Sequence, residues 1–405
     1  MPVSSEPFAE LIACPDCDAV QELPHVASGR LICCRCHATL ERATGRFRGA
    51  ALATATATLL LLIPADTMRL MSVSRYGLHG TSYIGSGVAV IWRQGWPATA
   101  IAVGLLVLVL PILRFGLLVI SLAALTMSLR GLWVGRLFRY AEALDLWAMP
   151  DVFLIGCAIG YSRLAPFAVV RIGAGGWCFI GAALTAMLTR GLIERRRVWR
   201  GMGVAQPARG DSAFGCPGCQ LVVPAGSEGG RCPRCARRLH RYLPGSMAVA
   251  LALTVAGLLL YPVAMFYPAN VLQYIGGRSP HSLFSAVERL LGAHFILLAL
   301  AVFTTSILIP FVKLAGVLWF VVSVHRRSIS HLVFKTRFFR AIDELGRWSA
   351  MDVFTVVVYL PMVQFGQLAN VRAEDGLSAL LAVVLLTVAA SRCFDPRLLW
   401  KDAAA

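Results

Sequence analysis

The sequence predicts an all-α polytopic membrane protein: two tandem repeats of four transmembrane helices, each repeat preceded by a small β ribbon built around four cysteines. Three observations carry this expectation. The chain is 58% hydrophobic and 15% charged over 405 residues. A soluble domain carries ~25% charged residues, so one water-facing core cannot hide these apolar side chains. Eight stretches are apolar over roughly the 20 residues a helix needs to cross a ~30 Å hydrocarbon core. Finally, one unit of sequence occurs twice.

The ribbons come first. Cys14, Cys17, Cys33 and Cys36 form one set of paired Cys-x-x-Cys motifs, and Cys216, Cys219, Cys232 and Cys235 form another. This spacing is a zinc signature. Each knuckle aims two thiolates at one point, and the intervening hairpin brings two knuckles to one ion. Four sulfurs at ~2.3 Å then close a tetrahedron with no open position, which makes the site structural. So small a domain cannot fold on its own core, and metal binding supplies the stability, about 10–16 kcal/mol in finger peptides. The other readings of these thiols are weaker. Disulfides do not persist on a reducing face, and a thioredoxin-like role requires a βαβ unit that is not legible here. Cys34, His37 and His240 read as bystanders; Cys157, Cys178 and Cys393 read as small buried hydrophobes.

The expected spans are residues 47–65, 97–120, 145–170 and 177–192 in the first unit, and 247–267, 294–322, 349–368 and 377–390 in the second. The domains read as ribbon 1 (1–46), a four-helix module (47–195), a linker with ribbon 2 (196–245) and a second four-helix module (246–405). The net charge of +17 is almost entirely arginine. Under eight crossings the arginine clusters before the first span and after the second, fourth, sixth and eighth fall on one face. That face is cytoplasmic by the positive-inside rule and carries both ribbons and both termini. The N-terminus lacks the basic and apolar regions of a signal peptide. Ribbon arginines such as Arg234 and Arg237 lie beside the membrane, so headgroup contact or anchoring suits them better than nucleic acid.

The repeat is visible residue by residue. LPILRFGLLVI at 110–120 matches IPFVKLAGVLW at 309–319, and LDLWAMPDVFLIG at 144–156 matches LGRWSAMDVFTVV at 345–357. An even number of spans per copy makes the copies parallel. Arg114 and Lys313 sit three residues after equivalent prolines, and Asp151 and Asp352 start the third spans. Charge at bilayer depth is costly. Pairing Arg114 with Asp151, and Lys313 with Asp352, neutralises it within each unit. Arg163 and Gln364 are also equivalent, and Arg163 lies about 18 Å along the helix from Asp151. Ser306, Ser349, Gln364 and Thr387 spread over three spans of the second unit: singly local hydrogen bonders, together the lining of a water-accessible path. The segments TSYIGSGVAVIWRQGW and HSLFSAVERLLGAHF have the periodicity of short amphipathic helices, lying in the outer interface or forming a packed lid.

Tandem ribbons ahead of four spans each, AMPDVFLIG with its twin SAMDVFTVV, and the terminal SRCFDPRLLW together resemble the paraquat-inducible protein A family over nearly the whole chain. The resemblance implies an inner-membrane protein whose lipid-transport branch works with periplasmic MCE-domain proteins. These form tunnels or barrels, and the implied task is moving phospholipid or similar lipid between the bilayer and the tunnel. It implies the eight ribbon cysteines as metal ligands. It further implies a membrane-embedded polar network serving proton coupling, at Arg163, Ser306, Ser349 and Thr387. Relatives carry Lys at Arg163 and an acid one turn on, where this chain has Pro166. Arginine does not readily release its proton, so the departure weighs against proton coupling through that pair and leaves the lipid role untouched.

The expected function is therefore a non-enzymatic lipid-transport component. The alternatives are a non-transporting scaffold or stress-responsive anchor for an MCE partner, and a thiol oxidoreductase. No Walker-type loop is present, so ATP is not the expected direct energy source.

Overall fold

The computed structural model describes residues 11–22, 29–43, 48–75, 78–164, 169–204, 213–274, 277–292, 294, 296–346, 350–362, 364 and 369–403. Ribbon 1 consists of two hairpins, β1 (Leu11–Ala13) with β2 (Val20–Glu22) and β3 (Gly29–Ile32) with β4 (Thr39–Ala43), each turning around one cysteine knuckle. There follow α1 (Arg48–Thr67), a hairpin of β5 (Met71–Arg75) and β6 (Leu78–Ser82), the short helix α2 (Ser86–Arg93), and a rod made of α3 (Pro97–Gly104), a π turn (Leu105–Val109) and α4 (Leu110–Thr126). Then come α5 (Leu132–Leu144), α6 (Pro150–Leu164), β7 (Val169–Ile172), α7 (Ala174–Leu192) and α8 (Arg195–Gly201).

The second repeat follows the same order. Ribbon 2 contains β8 (Ala213–Gly215) and β9 (Val222–Pro224). After it come α9 (Ser246–Phe266), β10 (Asn270–Tyr274), β11 (Gly277–His281), α10 (Leu283–Gly292), α11 (Ile296–Val302), a π turn (Phe303–Leu308) and α12 (Ile309–His325). The chain ends with α13 (Leu332–Leu345), α14 (Met351–Met362), β12 (Ala369–Ala373), α15 (Asp375–Cys393) and a 3-10 turn, Pro396–Trp400.

The two π turns have one cause. Pro111 and Pro310 each sit just beyond the turn. A proline lacks the N–H that would close an α-helical bond and its ring presses on the preceding turn, which one wider turn relieves. A second shared feature is absent from the expectation. In each repeat the hairpin after the first long helix is joined by the strand after the third, giving antiparallel sheets ordered β6-β5-β7 and β11-β10-β12.

Among the described residues, five helices are long and apolar enough to cross a membrane: Gly49–Thr67, Pro97–Thr126, Ser246–Phe266, Phe303–His325 and Asp375–Cys393. α7 meets that test only when joined to α8, across a bend of 68°. The expected third spans, 145–170 and 349–368, are shorter: α6 has 15 residues and α14 has 12. Even the longer is about 22 Å.

Within each repeat the first and last long helices pack along one another. Small residues permit it: Ala51, Ala55, Ala182 and Ala186 are buried, and the Thr58 and Thr185 hydroxyls bond at 2.9 Å. The repeats meet through α6 and α14, where Phe153 and Phe354 pack edge-on with centroids 5.5 Å apart. α2 also presses on α14, and a Cβ at Gly87 would lie 2.1 Å from the Val357 carbonyl oxygen. At the end of α2, the Gln94 side chain bonds both ways to β12, donating to the Val371 carbonyl (3.0 Å) and accepting from the Ala373 N–H (2.7 Å). The amphipathic segment of the first repeat is thus a packed lid. Ile84 and Ile91 point inward, whereas Tyr83 and Trp92 are exposed.

Candidate functional site

All four cysteine knuckles share one backbone form. In the first, the Cys14 N–H donates to the Ala19 carbonyl and the Asp18 N–H donates to the Cys14 carbonyl, both at 3.0 Å. Cys33, Cys216 and Cys232 repeat this pattern. The residue closing each turn, Asp18, His37, Gln220 or Ala236, has φ between 56° and 59°. The turns point the sulfurs inward. Cys14 and Cys36 Sγ lie 3.5 Å apart, Cys17 and Cys33 3.6 Å, Cys216 and Cys235 3.6 Å, Cys219 and Cys232 3.5 Å. A tetrahedron with ~2.3 Å metal–sulfur bonds has edges of ~3.8 Å, whereas a disulfide needs ~2.05 Å. Both clusters are buried and each gathers four thiols within 4.8 Å, a donor set suited to a soft metal ion.

The ribbons are exchanged between repeats. Ribbon 1 precedes the first repeat, yet its buried face packs on the second, against Phe339, Ile342, Phe394 and Trp400. Ribbon 2 shares a core with Phe138 and Trp199 of the first repeat. Equivalent arginines fasten both docks: Arg139 of α5 donates to the Cys235 carbonyl and Arg340 of α13 to the Cys36 carbonyl, each at 3.1 Å. Gly135 on α5 is obligatory, since a Cβ there would lie 2.1 Å from the Arg234 carbonyl oxygen. Arg340 also pairs with Asp16 at 2.8 Å; burial pushes the Asp16 carboxyl up to about 6, against the pull of Arg340.

A second pair of arginines joins ribbon to ribbon. Arg397 donates to the Gly215 carbonyl (2.9 Å) and the Pro15 carbonyl (3.3 Å) and stands 3.5 Å from the Asp18 carboxylate. Arg196 donates to the Ala13 carbonyl (3.4 Å) and the Gln220 side chain (3.1 Å). The sequence offers Arg139, Arg196, Arg340 and Arg397 only as part of the positive-inside bias. Their occurrence at equivalent places in both repeats is the signal that distinguishes them.

The polar residues expected at membrane depth, with those around them, divide into a cluster and isolated groups. Arg114 pairs with Asp145, not with the expected Asp151, and Asp151 pairs with Arg190. Packing decides this: α4 lies against α5, which delivers Asp145, while α6 lies against α7, which carries Arg190. Arg190 also reaches Asp145 at 3.0 Å, and Arg195 stands 3.2 Å from Glu142. Three arginines therefore face three acids, and all of these but Asp151 line a cavity of about 240 Å³ that Glu344 of the second repeat also lines. Burial raises the Glu142 carboxyl, with Arg195 opposing.

Among the described residues, the second repeat shows no equivalent cluster. Lys313 is 1% exposed, and its Nζ has no hydrogen-bond partner among the described residues. The place equivalent to Asp145 is Gly346, where a Cβ would lie 2.0 Å from that Nζ. Ser391, equivalent to Arg190, bonds Asp343 at 3.4 Å. Asp352 lies on α14 and Arg163 in the last turn of α6, with side chains outside the described set; Ser349 and Pro166 lie outside the described residues altogether.

Ser306 is buried in the second π turn beside Thr305 (3.3 Å). Thr387 is buried and bonds its own helix at Val384 (2.8 Å), and Gln364 bonds the Leu360 and Val371 carbonyls. Among the described residues, no hydrogen bond joins Ser306, Gln364 and Thr387 to one another.

A duplicated bundle of long apolar helices, with two four-thiol centres packed crosswise onto it, defines a multi-pass membrane protein with paired metal-ribbon domains. The chain belongs to the paraquat-inducible protein A family, whose sequence model matches residues 49–202 and 247–404. Those segments are the two repeats. The chain is 27% identical to lipophilic envelope-spanning tunnel protein A of Escherichia coli (strain K12), over 97% of this chain and 92% of that protein. It is 25% identical to intermembrane transport protein PqiA of the same organism, over 97% and 96%. A probable intermembrane transport protein of Haemophilus influenzae is 24% identical over 98% and 97%. No solved structure matches it.

Proposed function

We propose that this protein is an inner-membrane component of an envelope lipid-transport system, moving phospholipid or similar lipid between the inner membrane and a periplasmic MCE-domain tunnel. It is a transporter rather than an enzyme. The observation that carries the reading is the near-complete alignment with relatives named for intermembrane transport and for an envelope-spanning tunnel. In this reading each repeat crosses four times. The short helices α6 and α14 cross in the shelter of the repeat interface, where thirteen or so residues of protein-buried helix need not match lipid thickness. The arginine bias supports a cytoplasmic place for both ribbons, and four reduced thiolates in a closed shell support zinc as the metal they would hold. The domain limits are those at 46, 195 and 245.

Arg163, Ser306, Ser349 and Thr387 are the proposed polar path; arginine does not readily release its proton, so in this reading Asp151 or Asp352 takes the part of the acid whose protonation biases the conformations. The test is lipid transfer from proteoliposomes to a purified MCE partner. Arg163→Ala and Thr387→Ala are expected to abolish transfer while metal content and melting temperature hold. The satisfied hydroxyl of Thr387 and amide of Gln364 favour a second reading, a scaffold that anchors the partner without moving lipid. Full transfer by both variants, with loss of partner capture in ribbon variants, would select the scaffold.

A further inference from the structure

We propose that the N-terminus of α9 and the cations beside it bind the headgroup of a zwitterionic phospholipid, in the leaflet on the ribbon side. The inference does not depend on the transport reading.

A cavity of about 390 Å³ opens where α9 begins. Its position is fixed by the fold: α9 is long and apolar enough to cross a membrane, so its first turn stands at a membrane surface. The first N–H groups of any helix lack intrahelical acceptors and together carry partial positive charge. Here no side chain caps them. The N-cap is Gly245, held at φ 70° and without a side chain to offer. Ser246, the first helical residue, lines the cavity at 6% exposure, and its hydroxyl has no hydrogen-bond partner among the described residues. A buried hydroxyl without a partner is costly, and an anionic oxygen at this helix end would satisfy both it and the amides.

The walls match a lipid. Met247, Val324 and Leu398 supply apolar surface, while Arg327 and Lys401 supply two exposed cations. Lys401 Nζ also lies 5.8 Å from the Tyr242 ring, which steadies it at the rim. A phosphate therefore meets a helix N-terminus and two cations. Asp402 lines the same cavity. A carboxylate there works against a purely anionic ligand and suits one that carries an ammonium beside its phosphate, as ethanolamine phospholipids do.

The test is native mass spectrometry of the full chain in detergent, titrated separately with phosphatidylethanolamine, phosphatidylglycerol and inorganic phosphate. Wild type is expected to retain phosphatidylethanolamine best. Arg327→Ala with Lys401→Ala should weaken it by about thirtyfold, two surface cations being lost. Asp402→Asn should bring phosphatidylglycerol level with it. All three positions are exposed, and unchanged metal content verifies folding. Equal lipid retention by the double variant would overturn the site. Displacement of lipid by an equal concentration of inorganic phosphate would make it a free-phosphate site, and an unchanged lipid preference in Asp402→Asn would remove the zwitterion assignment.

Discussion

Arg196 and Arg397 occupy equivalent places in the two repeats, and each bridges both ribbons. Arg397 takes the Gly215 carbonyl and the Asp18 carboxylate, while Arg196 takes the Ala13 carbonyl and the Gln220 amide. These targets correspond to one another, so the two ribbons form a pair about an approximate twofold axis that the sequence duplication produces.

The clasp makes Arg397 a stability determinant. It is 5% exposed, and removing it leaves Asp18 and two carbonyls buried without their cation. Arg397→Ala should cost about 3 kcal/mol, read as a fall in the melting temperature of the detergent-solubilised protein. Arg397→Lys should recover part of the loss, since lysine keeps the charge but not the forked geometry. A melting temperature equal to wild type in Arg397→Ala would show the clasp to be incidental.

Crosswise docking predicts crosswise damage. Cys36→Ser should remove one metal equivalent and raise hydrogen exchange in α13 of the second repeat, while α5 stays protected. Cys235→Ser should do the reverse, exposing α5 of the first repeat. Elemental analysis gives the metal count and peptide-resolved exchange gives the location. Exchange rising in the repeat that follows its own ribbon would contradict the docking.

Arg114 and Lys313 are equivalent in sequence and should respond oppositely to Met. Arg114→Met leaves Asp145 buried without one of its cations and should destabilise by about 3 kcal/mol. Lys313→Met removes a buried charge whose Nζ has no hydrogen-bond partner among the described residues, at nearly constant volume, and should leave the melting temperature unchanged or higher. A loss in Lys313→Met as large as in Arg114→Met would reveal an essential partner for the lysine.

The repeat interface grades three glycines. A Cβ at Gly87 meets the Val357 carbonyl oxygen at 2.1 Å, one at Gly156 meets Phe354 Cβ at 3.1 Å, and one at Gly160 meets Val358 Cγ1 at 3.5 Å. Substitution by Ala should therefore be most costly at Gly87, about 2 kcal/mol, smaller at Gly156 and near neutral at Gly160. Thermal melts of the three variants check the order, and a benign Gly87→Ala would mean that α2 does not press on α14.

The legible parts were those written in local spacing. The cysteine pairs, the apolar stretches and the paired prolines Pro111 and Pro310 each announce themselves within a few residues. Partners were not legible. Asp145 and Asp151 are close enough in sequence that either could face Arg114, and only the packing of α4 on α5 chose between them. The sheets were missed because β5, β7, β10 and β12 are short and find their partners across a whole helical segment.

By itself, the sequence determined the solvent, the duplication and the two thiol centres, because hydropathy, periodicity and ligand spacing are properties of contiguous residues. Only the tertiary structure decided that each ribbon sits on the other repeat, that Arg190 links two acids, and that Thr387 bonds its own helix. Those outcomes depend on which surfaces meet, and a surface is assembled from residues far apart in the chain.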